Sequence, residues 1–165
     1  MTAAHCFTDV TDQSTIFVKL GKNDQTTTEP TEVITKIKDI IKHPSFSKET
    51  FDNDIALIKL QHHITFNEFI LPICLPSSSD EVEAMKQYFF NDSLDSSEQA
   101  ETQFGYVTGW GRLKESGPLP RYLHKIRLPI VEEQRCHKMT TFKVTDNMFC
   151  AGYGKDIVGD ACKGN

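Results

Sequence analysis

An all-β fold, sandwich or barrel, is predicted for this chain on three observations. Short β-type runs dominate the sequence, and turn-forming residues separate them. That punctuation is the signature of a sheet structure stacked or closed on itself. The third observation is composition. At 165 residues, 38% hydrophobic and 25% charged, the chain is one domain's worth of soluble polypeptide, long enough to bury a core.

Five runs read as strands: residues 14–20, 32–41, 54–60, 104–111 and 123–131. The second alternates apolar and polar residues only in part. The third is more uniformly apolar, which suits a buried strand. Turn residues lie at 21–24, 43–45 and 114–118. Residues 82–90 suit a short helix. They fall in the one compositional break, 77–103, where seven acids face the single base Lys86. That segment reads as an acidic connecting loop between residues 1–76 and 104–165, solvated or offering a docking surface. It carries the sequon Asn91-Asp92-Ser93, an acceptor for glycan only in a secreted protein.

Charge and cysteines exclude several classes. Eighteen basic against 23 acidic residues leave a net charge of −5. With no Lys/Arg cluster there is no footprint for nucleic acid. No apolar run approaches the ~20 residues of a membrane helix. Cys6, Cys74, Cys136, Cys150 and Cys162 are odd in number and contain no C-x-x-C pair, which disfavours a zinc site or a thioredoxin motif. Cys136 and Cys150 enclose a short segment that a disulfide could close, contributing about 3 kcal/mol in the chain-entropy model. Five free thiols in a cytosolic protein is the competing reading.

A single His or Asp says little, since most are packed or turn residues. Here five motifs arrive in one order. His5 sits in Thr2-Ala3-Ala4-His5-Cys6, and Asp54 in Asp52-Asn53-Asp54-Ile55-Ala56-Leu57. Gly109-Trp110-Gly111 follows, then Asn147-Met148-Phe149-Cys150-Ala151-Gly152-Tyr153, then Gly159-Asp160-Ala161-Cys162. Together they resemble the trypsin/chymotrypsin-like serine proteases over essentially the whole chain. Met148 to Tyr153 and Pro72-Ile73-Cys74-Leu75-Pro76 are most similar to the blood-clotting group of the factor X and thrombin kind.

The resemblance implies two antiparallel Greek-key β-barrels, truncated at both ends. It makes His5 the general base and Asp54 the carboxylate that fixes its tautomer. A serine hydroxyl is a poor nucleophile until an imidazole takes its proton, and His…Asp…Ser is the chymotrypsin order. Gly164 would give a backbone N–H to the oxyanion hole. Asp160 would sit at the base of the specificity pocket and pair with a substrate Arg or Lys. Ala161 beside it offers no hydroxyl for Lys, which favours Arg. Phe51 would line the adjacent subsites. The resemblance pairs Cys136 with Cys150, gives Cys6 and Cys162 partners outside the chain, and makes Cys74 the cysteine that holds a light chain. The loop from Gly21 to Glu32 matches the family's calcium loop. Lys22 stands in place of a ligating acid there, so a Lys22–Glu32 ion pair in place of calcium is expected, with no metal and no cofactor.

The departures are as specific. The run after Cys162 reads Lys163-Gly164-Asn165, with no nucleophilic serine, and Asn165 stands where the family has aspartate. Two functions are expected from this. One is a secreted endopeptidase of proteolytic cascades such as coagulation, cleaving protein substrates after Arg or Lys, with these residues inactive as they stand. The other is a non-catalytic serine-protease homologue that binds or regulates. A serine directly after Asn165 in the full gene product separates the first from the second.

Overall fold

The computed structural model describes residues 1–90, 103–112 and 116–153, with 86–90 by their backbone. Two units are distinct in the chain, Met1–Ile73 and Cys74–Asn165. In the first, β1 (Phe17–Leu20), β2 (Val33–Lys42) and β3 (Ala56–Leu60) form an antiparallel sheet in that order. In the second, β4 (Phe104–Gly109), β5 (His124–Val131) and β6 (Cys150–Ala151) form another. The fold is mostly β, as the sequence predicts. Among the described residues neither sheet closes into a barrel; each is an up-and-down order of three strands.

The partial alternation of β2 has a physical cause. Its register against β3 shifts between Ile37 and Asp39. Before the shift, Thr35 and Ile37 are buried; after it, Ile40 is the inward residue. One extra residue flips the inward parity, so a period-2 reading of residues 32–41 fails midway. The core beneath is small: Ala4, Phe7 and Ala56, with Val10, Ile16, Ile40, Phe46 and Ile58 packed against it.

Gly21 closes the turn after β1 with φ +66°. A Cβ there would lie 2.2 Å from the Thr31 carbonyl oxygen, so only glycine fits. The loop it opens is tied internally. Lys22 Nζ lies 2.6 Å from Glu32 Oε2 and also donates to the Thr27 carbonyl. Glu29 Oε2 accepts from the backbone of Asn23 and Asp24. The Glu32 side chain is 1% exposed, and Lys19 Nζ is 3.6 Å from its second oxygen. The Lys22 ammonium holds the Glu32 carboxyl below its ordinary range, against the opposing effect of burial.

Two helices refine the sequence reading. α1 spans Ser79–Phe90 and begins three residues earlier than the expected 82. The cause is a cap: Ser78 Oγ accepts from the Glu81 N–H, and Glu81 Oε2 accepts from Ser77. Ser-x-x-Glu is a helix-start pattern. α2, Glu133–Met139, was not expected. Seven residues carry too few apolar positions to show a helical period. Cys136 on α2 is buried and disulfide-bonded to Cys150 at a Cα separation of 5.8 Å. In β5, Pro129 pairs with Phe104 and its carbonyl accepts from Gly152, one residue beyond β6. Its missing N–H therefore faces a side where the ladder has already ended.

Candidate active site

His5 and Asp54 are 49 residues apart, and a two-way backbone bridge closes that distance. The Thr2 N–H donates to the Ala56 carbonyl at 2.9 Å, and the Ala56 N–H to the Thr2 carbonyl at 2.7 Å. The bridge holds the first residues beside the start of β3, two residues after Asp54. Ala4 and Ala56 are 0% and 1% exposed, so the approach depends on side chains no larger than methyl. A 3-10 turn, Ala4–Phe7, then buries Ala4 and Phe7 and turns His5 outward. Thr8 Oγ1 donates to the His5 carbonyl and Lys42 Nζ to the Phe7 carbonyl, fixing the turn.

Asp54 arrives on a strained loop. Phe51 and Asn53 have φ of +58° and +53°, a region costing ordinary L-residues about 1–2 kcal/mol each. The loop is held by Phe51 N–H to the Ser47 carbonyl, Ser47 N–H to the Asp52 carbonyl, and Asn53 Nδ2 to the Ser45 carbonyl. Strain of this kind persists only where surrounding contacts over-determine the backbone. Here it aims one carboxylate at one imidazole.

The contact is close and double. His5 Nδ1 is 2.6 Å from Asp54 Oδ2, and the His5 N–H donates to Oδ1 at 2.8 Å. The His5 ring is half exposed and Asp54 mostly covered. Burial pushes the Asp54 carboxyl up. The His5 ring, the His5 N–H, the His5 charge and the Ala4 N–H together outweigh burial and bring it below its ordinary range. An ionised carboxylate only accepts hydrogen bonds, so Nδ1 carries the proton. In the neutral ring Nε2 then carries the lone pair, with Cys6 Sγ 3.7 Å from it. A residue of this geometry can take a proton from a hydroxyl or thiol placed at Nε2 and keep the resulting imidazolium beside a carboxylate.

Phe51 lies edge-on to the imidazole, with ring centroids 5.7 Å apart. Cys6 Sγ is 3.7 Å from His5 Nε2, a contact sequence reasoning did not find. Nor did it find Asn53's left-handed backbone, although Asn is a residue that tolerates it. Asp160, Ala161 and Gly164 lie outside the described residues, as do Cys162 and Asn165. Cys136 and Cys150 are joined, and Cys6 and Cys74 are free and exposed. No group of three or more His, Cys, Asp or Glu side chains suited to a metal occurs among the described residues. No described helix is long and apolar enough to cross a membrane. An open groove of about 840 Å³ on the first sheet, lined by Leu20, Lys59, His63, Phe66 and Leu71, includes neither His5 nor Asp54.

A mostly β chain that directs an imidazole and a carboxylate at each other in this order has the makings of a serine-type hydrolase. The family model described as Trypsin matches residues 1–165. The chain belongs to the trypsin family, whose members are S1 serine peptidases acting on protein substrates.

Proposed function

We propose that this chain carries the base and the orienting carboxylate of a secreted endopeptidase that cleaves after Arg, or Lys, in proteolytic cascades of the coagulation kind. The observation that carries the reading is the Nδ1–Oδ2 contact of 2.6 Å between His5 and Asp54, reinforced by the backbone bond to Oδ1. His5 acts as general base through Nε2. Asp54 holds its tautomer and stabilises the imidazolium. Gly164 contributes an N–H to the developing oxyanion. Asp160 supplies the negative charge that receives a substrate guanidinium, Ala161 favours Arg over Lys, and Phe51 lines the neighbouring subsite. Cys74, free and exposed, is the attachment point for a light chain. Calcium is replaced at the Gly21–Glu32 loop by Lys22.

These 165 residues contain no Gly-Asp-Ser-Gly-Gly-Pro run, so by themselves they turn over no peptide. Two assays test the reading. The 165-residue chain, given an Arg chromogenic peptide and a serine-directed covalent probe, shows neither hydrolysis nor labelling. The full gene product cleaves Arg peptides with a higher kcat/KM than Lys peptides and both far above Phe or Leu. Asp160→Ser removes that preference, because it deletes the carboxylate that a substrate guanidinium or ammonium would pair with. A preference for apolar residues contradicts the reading. Asn165 in place of the family aspartate favours a second reading, a homologue that binds without cutting. A full gene product that lacks serine after Asn165 and shows no turnover establishes that one.

A further inference from the structure

The imidazole and its carboxylate ride on separate segments, and those segments meet at a second place. Asp9 follows the Ala4–Phe7 turn that carries His5, and Lys48 lies on the loop that delivers Asp54. Lys48 Nζ is 3.0 Å from Asp9 Oδ1. Each partner is tied back to its own segment. Thr8 Oγ1, which donates to the His5 carbonyl, is also 3.3 Å from Asp9 Oδ2. Beside Lys48, the Ser47 carbonyl accepts from the Phe51 N–H, and Ser47 Oγ accepts from the Thr50 N–H. The hydrogen bond from Lys48 holds the Asp9 carboxyl below its ordinary range. The same loop sets the Phe51 ring 5.7 Å from the imidazole, on a backbone with φ of +58° at Phe51 and +53° at Asn53. Such conformations persist only where contacts on several sides fix them. The Thr2–Ala56 bridge fixes one side, at the start of β3. Asp9–Lys48 fixes the loop's exposed end.

We propose that Asp9 and Lys48 are positioning residues for the imidazole, a salt-sensitive clasp that holds the Phe51 loop against the His5 turn. The proposal rests on His5 acting as the base. Both side chains are mostly exposed, and exposed pairs of this kind add little to global stability. Their leverage is local, because they join the two segments whose approach fixes the proton on Nδ1. With the clasp closed, the Phe51 edge limits the swing of the imidazole away from Asp54. With it open, the strained loop relaxes, Phe51 withdraws, and the His5–Asp54 bond breaks more often. Dissolved salt opens the clasp by screening. The Debye length falls from about 30 Å at 0.01 M to about 3 Å at 1 M.

The test follows the His5 Nδ1 proton of the 165-residue chain by NMR, through its exchange with water at fixed pH and buffer. No peptide need be cleaved. In the parent chain exchange quickens about two- to fivefold from low to high sodium chloride. Lys48→Met quickens it by a similar factor at low salt and removes the salt dependence. Exchanging the charges, Asp9→Lys with Lys48→Asp, restores the slow rate, whereas either reversal alone does not. The urea midpoint of Lys48→Met stays at the parent value. The salt series needs no variant, so a substituted chain that folds poorly does not rescue the idea. A signal that is present but indifferent to salt and to Lys48→Met overturns the clasp alone. So does a fall in urea midpoint large enough to account for the faster exchange, or a charge exchange that fails to restore the slow rate. A signal absent at every salt concentration overturns the clasp together with the reading of His5 as base.

Discussion

Asp54 is pulled two ways at once. Its burial favours the neutral acid, and its bonds to His5 and Ala4 favour the anion and prevail. A carboxyl depressed in the folded chain stabilises that chain above its unfolded value, and the contribution is lost as pH falls through the folded one. The stability gap between the parent chain and Asp54→Asn should therefore be widest near neutrality and shrink in acid, below about pH 4. Urea unfolding across a pH series measures it, and a gap independent of pH contradicts the assignment. His5 and Asp54 were legible in the sequence because each sits in a motif with fixed neighbours. The Cys6–Nε2 and Phe51–His5 contacts were not. They depend on how one turn and one loop point their side chains, and no residue period encodes that.

At the level of elements, the site rests on the approach of the Ala4–Phe7 turn to the start of β3. Ala4 and Ala56 are both buried. Ala4→Leu or Ala56→Leu should cost roughly 1–3 kcal/mol by overpacking, and should also loosen the His5–Asp54 contact, because the bridge at Thr2 and Ala56 is forced apart. Chemical denaturation reads the first effect and the His5 ring resonances the second. Unchanged values of both contradict this picture. The Lys22–Glu32 pair makes a separate prediction. Lys22→Met leaves the buried Glu32 carboxylate with only the longer Lys19 contact and lowers the melting midpoint. The double change Lys22→Met, Glu32→Leu recovers part of the loss, because removing both charges costs less than orphaning one. A double variant no more stable than the single one contradicts it. Strands β1 to β5 were visible as apolar runs between turns, and the two-residue β6 was too short to show. The β2 bulge was hidden by its own parity change, and α2 by its seven residues and its tether at Cys136.

Each sheet leaves open edges among the described residues: β1 and, beyond the Thr2 bridge at Ala56, β3 in one, and β4 and the two-residue β6 in the other. Large apolar side chains stand out of both units. Ile34 is 53% exposed, Leu57 50% and Tyr106 62%. Cations lie over some aromatic faces, Lys125 over Tyr106 and Arg127 over Phe104. Unpaired strand edges and exposed apolar faces both favour association. The 165-residue chain should sediment as species larger than a monomer at micromolar concentration and bind an apolar dye. A monodisperse monomer with a cooperative melt contradicts that. At this scale the sequence predicted an all-β architecture correctly, because strand runs and turn residues are local signals. Whether three strands close into a barrel is a matter of long-range partners, which those signals do not specify.

The central claim is that Asp54 fixes the His5 ring with its proton on Nδ1 and a bare Nε2. Nitrogen-15 NMR of the histidine rings, with assignment by His5→Ala, tests it directly. The account predicts a hydrogen-bonded Nδ1 proton shifted strongly downfield, with Nε2 unprotonated in the neutral ring, and loss of that signal in Asp54→Ala. A neutral His5 protonated on Nε2, or a ring spectrum untouched by Asp54→Ala, would contradict it.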